Sequence, residues 1–297
     1  MTINIKTLLL FLLATASVMG ASVVTKFEIK GDDSTAKKDV FAQNLHIRHS
    51  KLITDPAQRT IALRFSNRVK SYVLLIQGKV DVQGKLYGTV GMAEPSNANF
   101  YSNGFISFHL NGVSDREFEI SDIEVEDETG KITWRHGSDE AVLTIFLPEN
   151  DDKLLLEFSP DLEVEKHENY MLQLLMYPSS YAGGSKAGSA LRNREGVSTK
   201  RVFSEDGKWV PLDADEPWIV FSDKYFDPAE NRGDGPCAVL FNPKQTVRRE
   251  VAISNYACNL RLFYPNKTNA AMLLWDFKGV TNADALESMK SIHLEFD

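Results

Sequence analysis

Between residues 59 and 277 the chain alternates short apolar runs with turn residues. The runs are RTIALRF (59–65), SYVLLIQ (71–77), GFISFHL (104–110), KITWRH (131–136), EAVLTIFL (140–147), KLLLEF (153–158), MLQLLMY (171–177), PWIVF (217–221), CAVLF (237–241), REVAIS (249–254), NLRLFY (259–264) and AMLLWDF (271–277). Each is short, rich in β-branched or aromatic residues, and where polar residues interrupt it they tend to come at every second place. That is the period of a strand with one face in a core. Four runs end in X-Pro, at Pro148, Pro178, Pro243 and Pro265. Proline has no N–H for a ladder, so each marks a strand end. A helical pattern is confined to NADALESMK (282–290), with Asn282 as candidate N-cap. The expected fold is all-β: a large antiparallel β-sandwich, in its extended form a supersandwich, with one short C-terminal helix.

Two strand segments resemble each other. NYMLQLLMYPS starts at Asn169 and NYACNLRLFYPN at Asn255; both run Asn-Tyr, apolar strand, Tyr-Pro. Duplication, equivalent strands in two sheets, and coincidence all account for one such match. Strands continue in the same style on both sides of residues 177–201, so 21–297 reads as a single sandwich domain. A boundary in that loop is the alternative.

The N-terminus, MTINIKTLLLFLLATASVMG, places Lys6 before an apolar run at 8–13 and small residues after it. This is the order of a secretory signal peptide, 1–20, with cleavage after Gly20 or Ala16. The run is too short for a membrane span. Secretion or a periplasmic location follows as the expectation. The formal charge of −8 argues against nucleic acid as partner. Export would permit a Cys237–Cys258 disulfide, although two small buried hydrophobes explain the pair equally well. Their spacing suits neither a CxxC site nor a nearby histidine.

Candidate chemistry lies in two stretches. The loop YPSSYAGGSKAGSALRNREGVSTKR (177–201) carries Lys186, Arg192, Arg194, Lys200 and Arg201 against Glu195. Gly183 and Gly184 allow a close backbone approach, and arginines offer bidentate donors to carboxylate or sulfate. The spacing is that of no nucleotide loop. A plain exposed, mobile surface loop is the competing reading. The segment 208–235 gathers Trp209, Trp218, Phe221, Tyr225 and Phe226 among Asp213, Asp215, Glu216, Asp223, Asp227, Glu230 and Asp234. Aromatic faces with carboxylates suit sugar rings, and core packing accounts for the same aromatics. Arg192, Arg194, Lys186, Trp209, Trp218, Asp223 and Asp227 are the candidate ligand residues. No cofactor is expected. Calcium is the one candidate, and the 227–235 loop lacks the closing-Glu spacing of a calcium loop.

HExxH, GxSxG and SxxK are absent from the sequence, and His46 and His49, three apart, would face opposite sides of a strand. An all-β chain of this length, with X-Pro strand ends and aromatic–acid loops, resembles over residues 24–297 the supersandwich proteins related to galactose mutarotase, and also secreted bacterial β-sandwich proteins. The resemblance implies the architecture. The mutarotase His and Glu motif matches no position here, so it implies no activity. Three functions stand open: an exported module binding a glycan or envelope polysaccharide, a carbohydrate-active hydrolase, lyase or epimerase using dispersed carboxylates, and a structural envelope protein. The exported product is expected to begin at Ala21 on N-terminal sequencing; a cytosolic product retaining Met1 counts against the signal.

Overall fold

All the apolar runs above form strands. The computed structural model describes residues 2–4, 23–30, 55–126, 128–178, 193–204, 206–230, 233–254 and 256–295. In chain order the strands are β1 (Thr2–Asn4), β2 (Val23–Lys30), β3 (Gln58–Ser66), β4 (Ser71–Val80), β5 (Leu86–Glu94), β6 (Ile106–Leu110), β7 (Val113–Ser114), β8 (Glu119–Glu126), β9 (Thr129–His136), β10 (Asp139–Phe146) and β11 (Leu154–Asp161). They continue with β12 (Asn169–Met176), β13 (Arg194–Ser198), β14 (Val202–Ser204), β15 (Val210–Pro211), β16 (Trp218–Asp223), β17 (Cys237–Phe241), β18 (Arg248–Ile253), β19 (Cys258–Pro265), β20 (Ala270–Asp276) and β21 (His293–Glu295); among the described residues the one α-helix, α1 (Asn282–Lys290), comes before the last strand.

From β2 to β20 every pairing is antiparallel, and the ladder forks at β5. One arm runs β2-β3-β4-β5-β6-β12-β19-β18-β15. The other leaves β5 through Leu86↔Ile120 and runs β8-β9-β10-β11-β20-β17-β16-β13-β14. Among the described residues no pairing joins the two far ends, so the sheet stays open. β1 lies apart, parallel to β21. Near the fork, Gly78 and Gly88 face each other; a Cβ on either would fall within 2.4 Å of the opposite backbone. Only glycine allows so close an approach.

The two arms pack face to face over one continuous apolar cluster. It takes Leu63, Phe65, Leu74, Ile76, Leu172, Leu174, Leu260 and Leu262 from the first arm, and Ile132, Leu143, Leu156, Phe158, Met272, Val239 and Phe221 from the second. Phe158 bridges them, its ring centroid 5.1 Å from Phe108 and 5.5 Å from Tyr170. The Asn-Tyr…Tyr-Pro segments prove to be neighbours in one sheet, β12 and β19, and not counterparts in two. Their register crosses Asn169 with Pro265, and Tyr170 stacks on Tyr264 at 5.5 Å.

The helix begins one residue earlier in its capping than the sequence suggests. Thr281 is the N-cap, accepting from Asp284 N, while Asn282 Nδ2 donates to the Asp223 carbonyl. Cys237 and Cys258 are both buried and are not joined to each other, so the structure holds the pair as core residues and not as a disulfide. Burial pushes the Cys237 thiol well up, with Asp276 and Cys258 adding to it. Replacing Phe158 by Ala is expected to remove about 3–5 kcal/mol of stability. Urea unfolding should show a lower midpoint at unchanged slope; a loss under about 1 kcal/mol would refute the bridging role.

Candidate functional site

The two arms treat their outer faces differently. On the second arm, outward residues Leu155, Leu273, Leu240, Trp218 and Val220 are covered by Ala285 and Met289 of α1. On the first arm, the outer faces of β12, β19 and β18 carry polar side chains interspersed with Met171, Leu175 and Phe263. The alternation is strict: Leu260, Leu262 and Tyr264 point inward, so Asn259, Arg261 and Phe263 point out. Register then aligns two rows. One row crosses Glu250, Arg261, Gln173 and Ser107; the other crosses Arg248, Phe263, Met171 and His109.

These side chains are held by one another. Arg261 Nε donates to Gln173 Oε1 at 2.9 Å, and Gln173 Nε2 to Asn259 Oδ1 at 3.3 Å. The Arg261 guanidinium lies 3.8 Å from the centroid of Trp209, which is 37% exposed at the β15 edge. The Arg248 guanidinium lies at the same distance from Phe263, and its Nε is 3.5 Å from Glu250 Oε1. Burial pulls the Arg261 pKa below its ordinary value; Glu250 opposes that and Arg248 reinforces it. The face thus presents an aromatic edge, fixed amide groups and two stacked guanidinium forks, the equipment for hydroxyl and oxyanion groups on a flat ligand.

A second polar cluster plugs one end of the interior. Asp276 pairs with Cys237, Cys237 with Phe221, and Asp223 with Arg194, so all of these share the inward face. Asp276 is fully buried; its Oδ1 accepts from Asn99 Nδ2 at 3.1 Å and from Lys278 N at 2.8 Å. Among the described residues, Asp276 Oδ2, Asn99 Oδ1, Asp223 Oδ2 and Asn282 Oδ1 have no hydrogen-bond partner. Burial raises the Asp276 carboxyl to about 7, against the pull of Lys70, of the Lys278 amide and of Asn99, with Asp234 pushing it further up. Elsewhere a cavity of about 10 Å³ lies between Phe108, Asp115, Trp134 and Phe158. That is room for about one water and for no sugar. Among the described residues no group of His, Cys, Asp and Glu could hold a metal, and no helix is long and apolar enough to cross a membrane.

The sequence-predicted residues scatter. Lys186 and Arg192 lie outside the described residues, as do Gly183 and Gly184. The stretch expected to be loop through residue 201 becomes regular from Arg194, where β13 pairs with β16 and β14. Arg194 is 2% exposed, turned into the core where it donates to the carbonyls of Pro178 and Tyr256. Lys200 pairs with Asp215 at 2.5 Å and Arg201 with Glu216 at 2.8 Å, which pins the β13–β14 hairpin. Trp218 lies beneath α1, and Asp223 is wholly buried. Asp227 is exposed and caps the turn Pro228–Glu230 by accepting from Ala229 N. Trp209 alone of the described candidates stands on the polar face. Gln173, Asn259, Arg261, Arg248, Glu250 and Phe263 were missed. Their signal was polar residues at alternate places inside apolar strands.

No family model and no curated protein matches this sequence. Solved structures resemble the chain at the level of architecture. A Klebsiella pneumoniae protein assigned as an aldose 1-epimerase is 8% identical at TM-score 0.37, with 93% of this chain and 99% of that chain covered. An Escherichia coli K12 protein assigned likewise is 8% identical at TM-score 0.39, over 69% and 95%. A GH36 α-galactosidase, AgaA, from Geobacillus stearothermophilus is 9% identical at TM-score 0.39, over 74% of this chain and 41% of that one. The chain therefore spans about two fifths of the galactosidase's length. Ligand and activity have to be argued from this chain's own residues.

The buried Asp276 has a folded pKa raised above its ordinary value, so the folded state holds its proton more tightly than the unfolded state. Its contribution to stability is full below about pH 4 and is lost as pH rises toward 7. Relative to Asp276→Asn, which mimics the protonated acid, wild type should lose on the order of 3–4 kcal/mol across that window. Parallel urea titrations at several pH values measure this. Identical pH slopes for the two proteins would overturn the assignment.

Proposed function

We propose that this protein is an exported saccharide-binding module whose ligand lies on the outer face of β12, β19 and β18 against Trp209. The observation that carries the reading is the Trp209–Arg261–Gln173–Asn259 chain, a half-exposed indole beside fixed donors and acceptors on rigid strands. Sugar rings bring C–H faces that pack on indole and hydroxyls that both donate and accept. Amide side chains answer both needs. Preorganisation on strands lowers the ordering cost of binding. The carboxylates in the most unusual surroundings, Asp223 and Asp276, are wholly buried and out of a ligand's reach, which favours binding at the open face over catalysis by a pair of acids.

Export rests on the lysine–apolar–small order of residues 1–20. Cleavage after Gly20 would remove β1 and leave β21 without its parallel partner. Solved proteins with carbohydrate names resemble the architecture, but at their identities they add nothing to this argument.

A glycan array probed with the mature protein identifies the ligand, and titration of that ligand against Trp209→Ala tests the face. The substitution is expected to weaken binding by about tenfold or more, the effect of losing one good stacking or hot-spot aromatic. Thermal unfolding should change little, because Trp209 sits at a sheet edge. Absence of any saccharide binding, or full binding by Trp209→Ala, would overturn the proposal.

A further inference from the structure

Resting on that reading, we infer that Arg248 and Arg261 together form an oxyanion site on the same face, so that the saccharide it takes is acidic, bearing carboxylate or sulfate groups. The argument starts from what the two guanidiniums lack. Arg261 uses Nε on Gln173 and its π-face on Trp209; no acceptor among the described residues meets its terminal nitrogens. Arg248 places its π-face on Phe263 and its Nε 3.5 Å from Glu250; its terminal nitrogens are likewise without an acceptor. Stacking fixes each plane, and the outward terminal N–H pairs make a fork matched to the two oxygens of a carboxylate or sulfate.

The two forks are diagonal neighbours across the β18–β19 pair, since Arg248 faces Phe263 and Glu250 faces Arg261. Diagonal positions stand about 7–8 Å apart, so the forks can converge on one anionic group or grip two on a flexible chain. Arg248 raises the cost of the charge on Arg261. An incoming anion would relieve that repulsion. Glu250 is the opposing charge in the patch, reaching only one of the arginines as an ion pair, and one net positive charge remains in a chain of formal charge −8. In so acidic a protein a local positive patch with unused donors is where an approaching anion meets the least repulsion.

The test uses mature protein and three probes: polygalacturonate, neutral dextran and inorganic sulfate. Trp209 fluorescence and calorimetry are the readouts. Polygalacturonate or sulfate should bind at low salt and weaken about tenfold or more toward 0.5 M salt. Arg248→Gln, at an exposed side chain, should lose most of this binding. Arg261→Lys keeps the charge but not the fork, and should lose much of it too. Neutral binding that depends on Trp209 but is unaffected by either arginine variant sinks the anion site and leaves the saccharide reading standing. Sulfate binding abolished by Arg248→Gln without binding of any polysaccharide supports the anion site and removes the saccharide reading. Anion binding unchanged in both variants overturns the inference.

Discussion

The pairing of β12 with β19 sets the rest. It buries Tyr170, Leu172, Leu174 and Met176 beside Tyr264, Leu262, Leu260 and Cys258 in strict alternation. A one-residue slip would turn the inward set to solvent and drive Gln173, Asn259 and Arg261 into the core. Burying an unpaired guanidinium is far costlier than exposing a leucine. The same register that closes the core therefore presents the polar face, and the Tyr170–Tyr264 stack lies within it. Core and candidate site are two sides of one hydrogen-bonded pair.

A sandwich has two outer faces, and here they diverge in physical role. The second arm carries Leu155, Leu240, Leu273 and Trp218 outward, and α1 is folded back to cover them. That arrangement removes apolar surface from water and uses the face up. The first arm carries fewer apolar residues outward at β12, β19 and β18, where Gln173, Asn259, Arg261 and Arg248 bond or stack on their neighbours in a lateral network. A lateral network on flat strands is rigid and open at once, which a loop built from glycine and serine is not.

The architecture was legible because apolar runs and X-Pro ends survive averaging along a strand. The strands that escaped notice had lost that signature for identifiable reasons. In β5, Gly88 and Gly91 interrupt the apolar run, and Gly88 is there for the backbone approach to Gly78. In β8, EISDIEVE hides Ile120 and Ile123 among exposed acids. In β13, Arg194 and Glu195 read as loop charge, yet Arg194 is a core donor to two carbonyls. For the site, Trp209 was visible as an aromatic in a polar stretch. Its partner Arg261 was not, because it lies 52 positions further along the chain and only the β15–β18–β19 order brings them together. Charge in a loop drew attention that belonged to charge inside a strand.

The plugged end of the interior follows a different logic from the open face. Four acceptor oxygens there, on Asn99, Asp223, Asp276 and Asn282, have no donor among the described residues. A buried acceptor left unpaired costs about 1–3 kcal/mol. Asp276 can lessen that cost by keeping its proton, since a protonated carboxyl oxygen becomes a donor instead of a lone acceptor. A carboxyl raised to about 7 by burial is consistent with this. The neighbouring Cys237 thiol, also pushed up by burial, stays neutral as well. At this end burial thus holds Asp276 and Cys237 toward their neutral forms, whereas on the outer face guanidiniums stack on aromatic rings. That contrast is why ligand chemistry is better sought on the face than in the plug.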